Sequence, residues 1–91
     1  MTTQHINDEN EMAELNRAAK NAKFRAVELL IDAAACAYRA GDAASASVAA
    51  ERLRIRGLRY DDILRLVAER LGMTQAEILP AWDSLMDDAL A

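Results

Sequence analysis

Glu28 and Asp32 stand four residues apart, one turn of a helix, and two carboxylates so placed are the beginning of a divalent-cation site. No histidine or third carboxylate joins them in register. Arg25 and Arg39 share their stripe, which makes it a solvated row of ion pairs. Cys36 is the only thiol and His5 the only imidazole. Cys36 falls among small apolar residues with only Arg39 as a cationic neighbour within a turn, so it is expected as a buried, inert thiol. His5 falls in a polar leading stretch and is expected to be solvated. There is no glycine-rich phosphate loop, no paired metal-ligand motif and no nucleophile–base set. The expectation is a protein with no catalytic residue, no metal site and no cofactor, and hence not an enzyme.

The remaining chemistry is charge. Arg52, Arg54, Arg56 and Arg59 crowd together, with Arg65 and Arg70 beyond. Arg52, Arg56 and Arg59 share one face if their helix runs on past residue 56, giving a docking edge for an acidic partner or a phosphate backbone, or else a charge balance for the acidic end of the chain. The far end is acidic, through Asp83, Asp87 and Asp88, and carboxylates near a helix C-terminus oppose its dipole. The net charge of −4 and pI near 4.9 argue against a generic nucleic-acid or anionic-membrane surface. A single cysteine excludes an internal disulfide. Residues 1–10 are too polar for a signal peptide, and the most apolar window, residues 26–38, is short and carries Glu28 and Asp32. A cytoplasmic location without membrane contact is the expectation.

These groups must be carried by helices. Over residues 8–40, Met12, Leu15, Ala19, Ala22, Ala26, Leu29, Ala33, Cys36 and Ala40 recur at alternating steps of three and four. That is an unbroken heptad seam, with no Gly or Pro inside it. Asp8 with Glu11 resembles a capping box at its start, and Gly41 terminates it. A second apolar row, Phe24, Val27, Ile31, Ala34 and Tyr38, begins halfway along. At ~100° per residue it lies roughly 150° around the helix from the seam. The second half is thus apolar nearly all round and belongs in a core, while the first half is a one-sided arm. The alanine-rich seam predicts close antiparallel packing.

Helices are also expected over residues 43–56, 60–71 and 75–90, with a disordered tail at residues 1–7. The inner face of the second is Ala46, Ala49, Ala50 and Leu53, with Val48 and Ile55 beside it. The third turns in Tyr60, Ile63, Leu64, Val67 and Leu71. The last turns in Ile78, Leu79, Trp82, Leu85, Met86, Ala89 and Leu90. Gly41, Gly57 and Gly72 each close a helix, Asp42 caps the second, and Thr74 with Glu77 forms a capping box. Asp61 and Arg65 are placed for an ion pair one turn apart. Pro80, inside the last helix, predicts a break or kink.

The run Gly57-Leu58-Arg59-Tyr60 through Ile63, then Leu71-Gly72-Met73-Thr74 and Ile78, resembles the helix–turn–helix of sigma-factor and response-regulator domains. The resemblance spans about twenty residues and implies a DNA-binding regulator whose last helix is the reader. That helix carries Glu77, Asp83, Asp87 and Asp88 and no Lys or Arg, whereas phosphate contact needs cations.

The fold expected is all-α: a long N-terminal helix with three shorter helices packed on its C-terminal half as a helical bundle. A compact chain of this length has a radius of gyration of ~12 Å, whereas a helix over residues 8–40 is ~50 Å long. The arm must project, and a second subunit is the simple cover, so a homodimer is expected. Its contacts, or those of a foreign protein, are placed at Met12, Leu15, Ala19, Ala22, Phe24, Val27 and Ile31, with the charged docking edge at Arg52, Arg56 and Arg59. The functional expectation is a small adaptor or inhibitor that binds another protein. A helix–turn–helix regulator is the alternative, and an acidic decoy for a nucleic-acid-binding protein a lesser one.

Overall fold

The structure, a computed structural model, describes the backbone of residues 2–91 and the side chains of residues 12–91. Among them are four helices and no strand: α1 (Thr2–Ala40), α2 (Ala43–Ile55), α3 (Tyr60–Leu71) and α4 (Gln75–Leu90). The all-α bundle is therefore as expected. α2, α3 and α4 all pack on the second half of α1. The first half projects, giving extents of 62 × 26 × 20 Å and a radius of gyration of 18.2 Å, well above the ~12 Å of a compact chain. α1 starts at Thr2, not at residue 8 after a tail. No Gly or Pro interrupts this stretch, and adding residues to an existing helix is far easier than nucleating one. The expected caps at Asp8 and Glu11, and the side chain of His5, lie outside the described residues.

The helix ends follow from their residues. Gly41, Gly57 and Gly72 close α1, α2 and α3 with φ of 67°, 96° and 69°, left-handed values that L side chains rarely adopt. Asp42 caps α2 by accepting from the Ser45 amide at 3.1 Å and the Ser45 hydroxyl at 2.6 Å. Thr74 Oγ1 accepts from the Glu77 amide and Glu77 Oε1 accepts from the Thr74 amide, each at 3.2 Å, closing the capping box of α4. Pro80 lies inside α4, which runs through it without a break. Proline removes one backbone donor there, and the fully buried Ile78 and Trp82 anchor the helix on either side of it.

The core is thin and alanine-rich. Ile31, Ala34, Ala35 and Ala37 of α1 meet Ala46, Ala49, Ala50 and Leu53 of α2. Ile63, Leu64, Val67 and Ala68 of α3 and Ile78, Trp82 and Leu85 of α4 complete it. Leu71 is half-buried, while Tyr60, Leu79 and Leu90 of the expected inner faces are exposed. Trp82 is the largest buried side chain, and its indole N–H meets no acceptor among the described residues. An orphaned donor of that kind costs about 1–3 kcal/mol.

Which row of α1 enters this core is the main departure from the sequence reading. The second row does: Ile31 and Ala34 are buried, and Val27 and Tyr38 pack half-buried against the cluster. The heptad seam stays outside, with Leu29, Ala33, Cys36 and Ala40 exposed like Met12, Leu15, Ala19 and Ala22 in the arm. Val, Ile and Tyr remove more apolar area from water than the alanines and cysteine of the seam, and burial energy follows area. Cys36 is consequently an exposed thiol, not a buried one. The close alanine packing foreseen for the seam is found on the opposite side of α1, against α2. No helix among the described residues is long and apolar enough to cross a membrane.

A candidate interaction groove between α1 and α2

Ala44, Val48 and Ile55 recur on α2 at steps of four and seven, which sets them on one side of that helix. The side faces away from the core: Val48 is 52% exposed and Ile55 77%. Beside them run Ala26, Leu29 and Ala33 of the uncovered α1 seam, with Leu29 63% exposed. The trough between the helices is continuous. Its upper part is lined by Leu30, Ala33, Ala44, Val48 and Arg52. Leu30 and Arg52 pass it on to a middle part with Ala26, Leu29, Ile55 and Arg56. Beyond the end of α2 it divides around α1, toward Phe24 and Val27 on one side and toward Ala22, Ala19 and Asn16 on the other, with Lys23 and Arg56 on both. Phe24 is 67% exposed because α2 ends before it can cover that turn.

The charge on the trough has one sign. Lys20, Lys23, Arg52 and Arg56 line it, and among the described residues no carboxylate does. In a chain of net charge −4 that is a marked segregation. Among the described residues Arg52 and Arg56 form no ion pair, whereas Arg54 is taken by Glu51 at 3.3 Å and Arg65 by Asp62 at 3.4 Å. Asp62, not the expected Asp61, is thus the partner of Arg65.

Several expected site residues fall elsewhere. Ile31, placed at a partner contact, is 2% exposed and belongs to the core. Val27 is likewise turned toward the core and reaches the trough only at its edge. Arg59 leaves the docking edge: α2 stops at Ile55, Gly57 turns the chain, and Arg59 becomes the residue before α3. There its amide donates to Asp62 Oδ2 at 3.2 Å, and with Glu51, Arg54 and Tyr60 it borders a depression that meets the trough only at Ile55. Arg52 and Arg56 line the trough. Met12, Leu15, Ala19 and Ala22 are exposed on the arm. Leu29, Val48 and Ile55 were not singled out for the site. Their seven-residue spacing on α2 and the place of Leu29 on the seam were the available signals.

Polar contacts also tie the helices to one another. Arg70 of α3 bridges to both Glu28 and Asp32, so the carboxylate pair of α1 is occupied by a guanidinium from another helix. No group of three or more potential metal ligands occurs among the described residues. The Tyr60 hydroxyl donates to Asp83 Oδ1 of α4 at 2.5 Å. Burial first, and then the bond to Asp83 and its negative charge, push the phenol well above its ordinary value of 10.0.

Comparison with family models, curated proteins and solved structures finds no match.

Proposed function

We propose that the chain is a non-enzymatic protein–protein interaction module, an adaptor or inhibitor that receives another helix in the α1–α2 trough. The observation that carries this reading is the trough itself. Leu29, Val48, Ile55 and Phe24, each more than half exposed, line up beside Arg52 and Arg56, which form no ion pair among the described residues. Apolar rows of that extent are uncommon on isolated monomers and mark binding surfaces. The geometry fits a helix laid in a groove, with apolar anchors below and charge pairing at the rim. Cations at the rim add on-rate and choice of partner more than affinity.

The test is capture from the native host's lysate on immobilised protein, set against a Leu29→Glu/Ile55→Glu twin. Both substitutions fall at exposed sites and leave the core intact. Proteins held by the parent and lost by the twin are expected. Equal retention by both would contradict the reading.

The helix–turn–helix alternative has less support. The exposed part of α4 carries Glu77, Asp83, Asp87 and Asp88 and no cation, so duplex binding no tighter than the non-specific ~10⁻⁴–10⁻⁶ M is expected. The decoy reading draws on those same four carboxylates, and a nucleic-acid-binding protein among the captured species would favour it.

A further inference from the structure

The trough asks for a helix with small and medium apolar residues on one side and carboxylates at the level of Arg52 and Arg56. The chain contains such a segment. Residues 8–15 read Asp8, Glu9, Asn10, Glu11, Met12, Ala13, Glu14, Leu15: four carboxylates, no cation, and the first two apolar residues of the seam. They lie in the projecting half of α1, where Met12 and Leu15 are 59% and 64% exposed. The lengths agree as well. Beyond the bundle α1 extends over residues 2–23, ~33 Å, and the uncovered seam on the bundle runs from there to Ala40, ~27 Å.

We propose that the trough is filled by the first half of α1 from a second copy of this chain, the two copies crossing antiparallel about a two-fold axis at Ala19–Ala22. In an antiparallel heptad pair, a positions meet d positions. A crossing there sets Ala19 on Ala22, Leu15 on Ala26 and Met12 on Leu29 of the other copy, each twice by symmetry. Small residues meet at the axis, where the backbones must approach, and larger ones on either side. Residues 8–14 of each copy come level with residues 27–33 of the other, which is where Arg52 and Arg56 stand beside the seam. A crossing one heptad further along would oppose Lys23 to Lys23 and Arg25 to Arg25 across the axis, and like charges so placed oppose association. This pairing rests on the interaction reading above and gives it a definite partner.

The experiment is sedimentation equilibrium of the full chain from low to high micromolar concentration. The parent is expected at twice its 10.0 kDa chain mass. Leu15→Glu, at an exposed position, should raise the dissociation constant about tenfold or more while helicity is kept. So should Arg52→Glu/Arg56→Glu and, separately, Asp8→Lys/Glu9→Lys. Mixing those last two proteins in equal amounts should restore the two-chain mass, because each then offers the other a complementary arm and trough. A parent at the chain mass throughout, a pair indifferent to Leu15→Glu, or a mixture that stays apart would each overturn the proposal. A monomeric parent that still loses its captured protein on Leu29→Glu/Ile55→Glu would overturn the self-pairing alone and keep the interaction reading. A monomeric parent that binds an oligonucleotide through Arg52 and Arg56 would overturn both.

Discussion

The two halves of α1 share one sequence pattern and meet opposite fates. Both carry the same heptad seam, yet only the second half has a rival row, Val27, Ile31, Ala34 and Tyr38, and that row takes the core. The first half has nothing but the seam, and every residue from Met12 to Arg25 is exposed. Periodicity says that a helix has an apolar side. It does not say which side wins when two compete. Side-chain size decides that, since a branched or aromatic row buries more area than an alanine row of equal length.

Substitutions in the two halves should carry different losses. The largest effects belong to the bundle. Leu53→Ala and Ile63→Ala, both at fully buried positions, should each cost ~2–5 kcal/mol in urea unfolding. Leu15→Ala in the arm, measured at concentrations too low for pairing, should stay within about 0.5 kcal/mol. Equal losses at the two sites would erase the distinction. Asp42→Ala removes the α2 cap and should lower stability in the same assay, by less than either core truncation. Arg70→Met leaves Glu28 and Asp32 without their partner. Those groups are a third to a half exposed, so screening limits the loss to about 0.5–1 kcal/mol.

The smallest expected effects are in pH dependence. The Tyr60 phenol is raised in the folded state, so its contribution is full below the ordinary value of 10.0 and is lost as pH rises above it, when the unfolded chain ionises first. Tyr60→Phe should remove that alkaline slope from the unfolding free energy. Asp42 is shifted the other way, held below 3.8 first by the Ser45 hydroxyl and then by the Ser45 amide. Its contribution is present above that value and fades as pH falls through the lowered one, which a carboxyl titration followed by NMR would display.

Much of this architecture was legible. The bounds of α3 and α4, the three glycine stops, the Asp42 cap and the Thr74–Glu77 box follow from local chemistry acting within a few residues. What was not legible depends on groups distant in sequence. The pairing of Arg70 with Glu28 and Asp32 spans about forty residues, and the exposure of Cys36 depends on which side of α1 the other helices choose. The docking edge was half legible. Helical spacing sets Arg52 and Arg56 on one side of α2, where both line the trough, whereas Arg59 leaves that side because Gly57 ends α2 before the pattern can carry it. The trough needed the apolar side of α2, Val48 and Ile55, to be set beside the free seam, which only the packing supplies.

Among the described residues the first half of α1 is uncovered while the second half is packed. Hydrogen exchange of the α1 amides, followed from dilute to concentrated protein, reads that difference. An unsupported helix is marginal in water, and exchange reports local opening. The prediction is fast exchange over residues 12–23 at high dilution and growing protection there as concentration rises, with residues 27–38 protected throughout. An arm as strongly protected as the bundle at the lowest concentration would contradict the account.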